Sequence, residues 1–581
     1  MNFTSRTFIT FLSTISLLAS GTSAQPSSSN LDSTYAIVNA NIYTVDKKAP
    51  NAQAMLIENG VILRVGSNQH VLKDIVENIN IIDLHGKFLM PGFQDAHQHL
   101  AEAGFNEVMC LFDERKRTIE AYRHQILDCA NEAKSQKLPW VLGAGISVSE
   151  MLADSSQTPR SFLDKLIPDM PVLILDNLGH GAWVNTPAMQ LAGYKLDVVK
   201  QPKGGILLTD KKGTATGVLF ENAQQRVRDA AFQAVDPNQS LAYKGLLKGL
   251  ETMAKNGVTT ISDAGGYWTR RDHRIWERAE NEGKMTVRAF NALYLFPDRE
   301  PIQQISHMKD LFTNDASNLV KFNTVKIYVD GILSLGTSAL IRDYTSTVVE
   351  ALEYPKGFEY FESSVLNHYA TEFDKAGFQL HFHVTGDRAA KLALNAIESA
   401  AIANQSTDRR HRLTHAYLID PIDQNRFEQL GVIVDFQLNP SSLDNHYYRP
   451  YIKKIIGPER AENLIPVRTM IDAGATTILS SDFDAGPLSA LGTIERALTR
   501  NDNRSQRVTT IDKAIEMVTI DVAYALHNEH NTGSIEVGKQ ADLIVLDKDI
   551  TKLPKEKISG AKIESTIIGG RVVYDQANNF D

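Results

Sequence analysis

The 581-residue sequence has little cysteine, and outside its N-terminus it has no long hydrophobic run. Cysteine occurs at Cys110 and Cys129 alone, and two thiols do not make a disulfide scaffold, although export would permit a bond between them. We assign neither thiol a role. A net charge of -9 provides no broad basic surface, so nucleic acid is not an expected partner. With 43% hydrophobic and 22% charged residues, the composition is typical of a globular enzyme.

One hydrophobic run does occur at the N-terminus, where an apolar stretch over residues 8–19 is followed by small residues. This stretch is too short to span a bilayer, so it predicts a signal peptide over residues 1–24, cleaved between Ala24 and Gln25. We therefore expect an exported protein, periplasmic or secreted, with no stable membrane anchor. A Ser-rich linker, residues 25–34, should follow the cleavage site.

The spacing of hydrophobic residues divides the rest of the chain into regions. Alternating β-branched patterns at both ends, residues 35–89 and 531–581, predict a small β-sandwich built from both termini. Between them, short strands alternate with helical patterns, which is typical of a parallel α/β fold. We predict a (β/α)8 TIM barrel over residues 90–530, with an insertion at about residues 112–233 after its first strand. The eight candidate strands are residues 90–95, 259–263, 286–293, 324–329, 378–384, 412–415, 431–436 and 476–481.

Two histidines separated by one residue follow the first candidate strand. His97 and His99 share one face of an extended strand, at the end of the barrel where active sites are built. Two such imidazoles can chelate one divalent ion. Taken alone, however, a pair of histidines on a strand is more often structural than ligating.

Later strands end in the same residue types. His383 and His415 end the fifth and sixth candidate strands, and Asp482 follows the eighth. A random scatter of 16 histidines would rarely place such residues at matching strand ends, so the set predicts a metal centre at the barrel mouth. His381 lies one pleat further back than His383, and we expect it to pack inside the barrel.

The motifs together resemble the amidohydrolase superfamily, and specifically its YtcJ-like branch, which includes N-substituted formamide deformylases. The resemblance implies a distorted barrel with a small β-sandwich from both chain ends. It also implies hydrolysis of a C–N bond other than a peptide bond in a small molecule. The motifs include Met90-Pro-Gly-Phe-Gln-Asp-Ala-His-Gln-His, Thr216-Gly-Val-Leu-Phe-Glu-Asn-Ala, Val325-Lys-Ile-Tyr-Val-Asp-Gly, His383-Val-Thr-Gly-Asp-Arg-Ala, Ser480-Ser-Asp and Gly533-Ser-Ile-Glu-Val-Gly-Lys-Gln-Ala-Asp-Leu.

Carried over to this sequence, the resemblance gives each candidate a role. It implies that one or two divalent ions, zinc by preference, are bound by His97, His99, His383, His415 and Asp482. A metal activates water and polarises a carbonyl, while Asp482 takes the proton of that water and passes it to the leaving nitrogen.

Three further positions leave alternatives open. Lys326, on the fourth strand, is either a carboxylated lysine that bridges two metals or an unmodified lysine paired with an acid such as Asp330. His180, in the insertion, either binds substrate from above the site or is a turn histidine beside a core tryptophan. Asp387 either orients a neighbouring group or, as we favour, caps the helix that follows it.

Two other functions compete with amide hydrolysis. A metal-dependent ester or lactone hydrolase would use the same activated water. A catalytically silent periplasmic binding protein is disfavoured, because the set of ligand-type residues is intact. Imidazole and carboxylate ligands suit several metals, so the residue pattern does not identify the ion. Loops set the substrate, so the pattern does not identify the substrate. A homodimer is the default expectation for the assembly.

Overall fold

A computed structural model of the chain describes residues 33–75, 79–102, 108–113, 118–152, 158–197, 200–346, 354–444, 446 and 448–580. The predicted signal peptide, and the predicted linker up to residue 32, lie outside these residues. Strands and helices are numbered here in chain order. Among the described residues, no helix is both long enough and apolar enough to cross a membrane.

Eight parallel strands form the central sheet, each hydrogen-bonded to its neighbour in chain order within the described residues, which confirms the predicted α/β barrel. The first and last strands meet through a bridge between Gln98 and Phe483, and Asp482 N donates to His97 O at 2.9 Å. The barrel strands are β8 (Phe93–Gln98), β15 (Val258–Asp263), β16 (Arg288–Tyr294), β17 (Val320–Tyr328), β18 (Gln379–Val384), β19 (Arg412–His415), β20 (Ile433–Gln437) and β21 (Thr477–Ser480).

The first predicted strand, residues 90–95, is in fact parts of two strands. β7 (Phe88–Pro91) pairs with a C-terminal strand, as Met90 opposite Ile544 shows, and β8 begins the barrel after Gly92. The chain passes from one sheet to the other at Gly92, where a Cβ would lie 2.3 Å from Cγ2 of Thr259, so only glycine fits at this close approach. As a result His97 lies within the first barrel strand, and His99 directly follows it.

Helices cover the outside of the barrel and build a continuous apolar core with its outward side chains. They lie between and after the barrel strands and are α7 (Ser240–Lys255), α8 (His273–Asn281), α9 (Pro301–Asp310), α10 (Ser363–Lys375), α11 (Asp387–Asn404), α12 (Gln424–Gln429), α13 (Tyr448–Ile456), α14 (Pro458–Glu462), α15 (Val467–Asp472), α16 (Ala490–Thr499), α17 (Ile511–Glu516) and α18 (Ile520–Ala525). Helix α18 closes one end of the barrel, where Val522 packs against Phe290, Ile433 and Ile478.

Two sheets from the chain ends pack over a shared apolar core that includes Ile37, Ile57, Leu543 and Ile567. One contains N-terminal strands alone, β5 (Val61–Gly66), β4 (Ala54–Glu58), β1 (Thr34–Val38) and β6 (Asn80–Asp83), with α1 (Asn68–Leu72) beside them. The other joins both ends of the chain, in the order β24 (Arg571–Asp575), β23 (Ile563–Ile568), β22 (Leu543–Leu546), β7, β2 (Asn41–Tyr43) and β3 (Asn51–Ala52). This arrangement confirms the predicted sandwich.

The insertion between β8 and β15 forms its own mixed sheet with a separate apolar core. A disulfide joins Cys110 to Cys129, the two thiols that the sequence left unassigned. The strands, in sheet order, are β13 (Gly205–Thr209), β14 (Ala215–Glu221), β12 (Gly181–Val184), β11 (Val172–Asp176), β10 (Val141–Ile146) and β9 (Cys110–Leu111). The helices are α2 (Arg123–Ser135), α3 (Val148–Met151), α4 (Pro159–Leu166), α5 (Thr186–Leu191) and α6 (Gln225–Val235).

Candidate metal centre

Parallel strands direct the candidate side chains to one place, because the carboxyl ends of all eight barrel strands open at the same mouth. His97 lies on β8 and His383 on β18, while His415 ends β19. Asp482 comes two residues after β21 ends. Four strand ends that are distant in sequence therefore meet around one small volume.

Asp482 is the centre of the first group. Its Oδ1 lies 3.1 Å from His97 Nε2 and 3.5 Å from His99 Nε2. The ligand-type atoms of these three residues all lie within 4.8 Å of one another, which is the spacing of side chains that share a cation. The backbone fixes the arrangement as well, since Asp482 N donates to His97 O.

His383 and His415 form the second group, close to His97. Their ring centroids are 4.5 Å apart, and that of His415 is 5.0 Å from the ring of His97. His383 Nε2 lies 3.2 Å from the carbonyl oxygen of Gly331, so that nitrogen donates and Nδ1 is left as the acceptor. Among the described residues, Nδ1 of His383 and Nδ1 of His415 are buried without a hydrogen-bond partner.

Lys326 reaches the same place from β17. Its Nζ lies 3.4 Å from both ring nitrogens of His97, and the side chain is fully buried. The structure does not pair Lys326 with Asp330. The carboxylate of Asp330 accepts instead from the backbone N–H groups of Ala339, Thr385 and Gly386. Asp330 thus holds a loop, and Lys326 belongs to the candidate site.

The protonation states suit cation binding. Burial lowers the pKa of His97 and His383 well below the usual value and that of His415 to about 4, so these imidazoles are neutral near pH 7. Burial also lowers the pKa of Lys326 to about 7. Burial opposes the charge of Asp482, but His97 beside it holds the pKa of that carboxyl well below its usual range.

A layer of polar side chains lies beneath the site, and sequence reasoning did not anticipate its contacts. His381, expected only to pack, places Nε2 at 2.9 Å from Nδ1 of His97. Its own Nδ1 lies 3.0 Å from Nη2 of Arg412, which also donates to Ser262 at 2.6 Å. Because an arginine can only donate, His381 accepts from Arg412 and supports the ring of His97.

His99 has a carboxylate on its far side. Glu102 Oε2 lies 3.6 Å from His99 Nδ1, while the other oxygen of Glu102 pairs with Arg228 and with Arg270, the latter at 3.2 Å. Arg228 belongs to α6 at the end of the insertion. This ion-pair cluster therefore links a candidate ligand to the inserted segment.

His180 does reach the barrel mouth from the insertion. Its ring centroid lies 5.3 Å from that of His383 and 5.9 Å from that of Tyr328. Its Nδ1 lies 2.6 Å from the carboxylate of Glu221, a residue that the sequence did not single out within its motif. Asp387 does not cap the helix that follows it, as we had favoured, because it is the first residue of α11 and the N-cap residue is Gly386. Its carboxylate accepts instead from Ile341 N at 2.8 Å and so ties a loop to the helix start.

The residues present fit a divalent cation. Neutral imidazoles with buried unpaired nitrogens and one ionised carboxylate offer the donor types that zinc and similar ions take in proteins. Backbone strain accompanies them, because His415 has a φ of 68° and Asp482 a φ of 56°. Left-handed backbone at non-glycine residues costs energy and concentrates at functional sites.

Fold and site together define a class, a (β/α)8 barrel with histidine and aspartate side chains gathered at its mouth. The sequence model described as "Amidohydrolase family" matches residues 80–574, so the chain belongs to the amidohydrolase family. The resemblance inferred from the motifs is thereby confirmed.

Relatives extend over nearly the whole chain. It is 28% identical to N-substituted formamide deformylase of Arthrobacter pascens, over 94% of this chain and 98% of that protein. It is 26% identical to the putative amidohydrolase YtcJ of Bacillus subtilis, over 92% and 98%. Protein LONG AFTER FAR-RED 3 of Arabidopsis thaliana is 27% identical, over 93% and 91%.

Solved structures share the fold. An uncharacterized metal-dependent hydrolase from Pyrococcus horikoshii superposes with a TM-score of 0.70 at 21% identity, over 90% of this chain and 99% of that one. A triazine hydrolase from Arthrobacter gives 0.51 at 15% identity, over 94% and 95%. At these identities the likeness concerns the architecture of the barrel.

Proposed function

We propose that this chain is a metal-dependent hydrolase that cleaves the C–N bond of an amide or formamide in a small molecule. One observation carries the proposal: His97, His99 and Asp482 direct their ligand-type atoms to within 4.8 Å of one another at the barrel mouth. His383, His415 and Lys326 complete the set. The similarity to a formamide deformylase over almost the entire chain supports the choice of bond.

The residues divide the work of such a reaction. A divalent cation, zinc by preference, supplies Lewis acidity that polarises a carbonyl and makes water nucleophilic near neutral pH. Asp482, ionised at that pH, takes the proton of the attacking water and later delivers it to the departing nitrogen. The carbonyl carbon gains the water oxygen and loses the amine, so the products are a carboxylic acid and an amine.

Metal content is the first test. Protein purified without chelator should hold one or two equivalents of zinc or a similar ion by elemental analysis, and the variant His97→Ala/His99→Ala should lose it. The matched control is His85→Ala/His530→Ala, which removes two histidines that are 81% and 90% exposed and should keep the metal. A folded wild-type protein that neither contains nor takes up metal would overturn the proposal.

The bond is tested separately, with the loaded wild type and a panel of formamides, amides, esters and lactones. We expect the formamides and amides to give the highest kcat/KM. A preference for esters or lactones would retain the metal site and replace the C–N assignment, because the same water attacks any suitable carbonyl. Carboxylation of Lys326 would appear as two equivalents of metal whose binding depends on added bicarbonate.

We also propose that the protein is exported. The Cys110–Cys129 disulfide supports this, since such bonds persist in oxidising compartments and are rare in the cytosol. Cell fractionation, with N-terminal sequencing of the recovered protein, tests the proposal. A cytoplasmic protein that retains residues 1–24 would contradict it.

A further inference from the structure

A turn directly after the first barrel strand brings Glu102 back to the side chain of His99. Glu102 N donates to His99 O at 3.3 Å, which closes the turn, and Ala101 N donates to Asp263 Oδ2 at 2.9 Å. Leu100, inside the turn, is fully buried and anchors it to the barrel. The two side chains therefore face each other, and Glu102 Oε2 lies 3.6 Å from His99 Nδ1.

The two ring nitrogens of His99 face two different carboxylates. Nε2 lies 3.5 Å from Asp482 Oδ1, on the side of the candidate metal centre, whereas Nδ1 faces Glu102. Among the described residues, Nδ1 is buried without a hydrogen-bond partner, and the 3.6 Å to Glu102 is longer than a formed hydrogen bond. When Nε2 of a neutral imidazole binds a cation, the ring proton is on Nδ1. The carboxylate of Glu102 therefore faces the nitrogen that carries the proton.

Two arginines hold the other oxygen of Glu102. Oε1 accepts from Arg228 and, at 3.2 Å, from Arg270. Arg270 is itself fixed, because it donates to Asp229 at 2.7 Å and to Gln225 at 2.7 Å. Arg228, Asp229 and Gln225 all belong to α6, at the end of the insertion. The insertion therefore sets the place of Glu102, both directly and through Arg270.

Burial restricts the movement of this ion-pair cluster. The side chain of Glu102 is 15% exposed, and those of Arg228 and Arg270 are 9% and 5% exposed. The backbone after β15 lies against the same contact, because a Cβ at Gly265 would be 3.3 Å from His99 Nδ1 and 3.4 Å from Cγ of Glu102. A carboxylate enclosed in this way has little freedom to turn from His99.

We propose that Glu102 is a positioning residue that accepts the Nδ1 proton of His99 and so presents the lone pair of Nε2 to the divalent cation. A carboxylate behind a metal-binding histidine fixes the tautomer and the direction of the ring. Helix α6 thereby contributes to the metal centre without supplying a ligand. This inference rests on the metal centre of the proposed function and not on the bond that is cleaved.

The test is the affinity for zinc, measured on metal-free protein by competition with a chromophoric chelator. Glu102→Gln keeps the size of the side chain and removes its charge. We expect this variant to bind zinc about 10- to 100-fold more weakly than the wild type, as for loss of other groups that orient metal ligands. An affinity within about threefold of the wild type would overturn the proposal.

A second variant separates the missing carboxylate from the arginines that it leaves unpaired. Glu102→Gln/Arg228→Gln removes one charge of each sign, and Arg270 keeps its bond to Asp229. This charge-balanced protein also serves if Glu102→Gln alone does not fold. Zinc binding should stay as weak as expected for Glu102→Gln, because the acceptor for Nδ1 is still missing. Recovery of wild-type affinity would mean that an unpaired arginine repels the cation, which would overturn the proposal.

Glu280→Gln is the matched control on the barrel. The carboxylate of Glu280, on α8, accepts from Leu319 N at 2.6 Å and from Val320 N at 3.0 Å, where β17 begins. Its replacement should lower the thermal unfolding midpoint and leave the zinc affinity unchanged. An equal loss of affinity in this variant would mean that Glu102 acts merely through the stability of the barrel, and the proposal would be overturned.

A crystal structure of the zinc-loaded protein gives a readout independent of turnover. We expect His99 Nε2 on the zinc and His99 Nδ1 about 2.7–3.2 Å from Glu102. Zinc on Nδ1, or a Glu102 turned away from His99, would overturn the inference even if amides are hydrolysed. If the expected contacts are present but neither amides nor formamides are hydrolysed, the positioning by Glu102 stands and the proposed reaction is what fails.

Discussion

The two ends of the barrel are built from the same eight strands and are filled in opposite ways. At the end closed by α18, Val522 packs on Phe290, Ile433 and Ile478, all buried and apolar. At the mouth, strands of the same barrel carry the buried side chains of His97, His383, His415 and Lys326, and Asp482 beside them is 20% exposed. One end contributes stability through apolar burial, whereas the other keeps costly polar groups out of water.

This difference indicates what substitutions at each end of the barrel should affect. Buried polar atoms without partners and left-handed backbone at His415 and Asp482 cost free energy that only a ligand or a function compensates. The apolar side chains described at the closed end, Val522, Phe290, Ile433 and Ile478, carry no polar atom that needs a partner, and they serve packing. We therefore expect substitutions at the mouth to change activity and metal binding, and substitutions at the closed end to change stability.

The largest effect is expected at the mouth, for Asp482→Asn. The amide has the shape of the carboxylate but cannot take a proton, so kcat should fall by about 10³-fold, within the range for loss of a general base. Steady-state kinetics on metal-loaded protein measure this, with the thermal unfolding midpoint as a check. A variant within tenfold of wild type would show that another group carries the proton.

At the closed end, Phe290→Ala should lower stability by about 4 kcal/mol, since it leaves a cavity in a packed apolar layer. The measurement is the thermal unfolding midpoint, followed alongside metal content. We expect the midpoint to drop and the metal stoichiometry of the folded protein to stay the same. Loss of metal from folded Phe290→Ala protein would contradict the expectation that the closed end affects stability alone.

The stability of the insertion should depend on its disulfide. Replacing both cysteines, Cys110→Ser/Cys129→Ser, removes a bond that closes a short loop, with a sequence separation of 19. Loops of this size are stabilised by about 3 kcal/mol, so the unfolding midpoint should fall while kcat remains near wild type. Reduction of the wild type with dithiothreitol should give the same shift, and no shift in either would contradict the expectation.

A smaller, pH-dependent effect is expected at Asp374, beside the start of β19. Burial alone would raise the pKa of Asp374, but hydrogen bonds from His411 at 3.1 Å and Asn404 at 2.7 Å lower it to about 2. Its contribution of about 2 kcal/mol is present above the unfolded pKa of about 3.9 and disappears as the pH falls through the folded value. Asp374→Asn should thus lower the unfolding midpoint at pH 7.

The same comparison made near pH 2.5 checks the sign. At that pH the difference in unfolding midpoint between the wild type and Asp374→Asn should be smaller than at pH 7, because the carboxyl of Asp374 is becoming protonated. A gap that widens toward low pH would mean that Asp374 is held in its neutral form.

Much of this arrangement could be predicted from local patterns. Each of the eight strands shows as a short apolar run, and His383 and His415 stand at the ends of theirs because a strand delivers its last side chain to the mouth. The first strand was placed too early, since the apolar run continues through Gly92 although the chain changes sheets there. Hydrophobicity does not distinguish two consecutive buried strands.

Residues whose roles depend on distant pairing could not be found in this way. Glu221 lies in a motif that the sequence shows, yet its partner His180 is set by the antiparallel register of β12 and β14. The contact between His381 and Arg412 likewise depends on the barrel register, in which His381 is aligned with Arg412. Neither strand alone carries a signal for the other.

The closure of the barrel has a consequence for how the protein is made. His97 and His99 leave the ribosome early, whereas Asp482 leaves late, and the hydrogen bond from Asp482 N to His97 O forms when the final strand seats. Contacts so distant along the chain form late in folding. We therefore expect the proposed metal centre to be completed only when the last barrel strand has joined the sheet, so that a chain truncated before Asp482 would lack it.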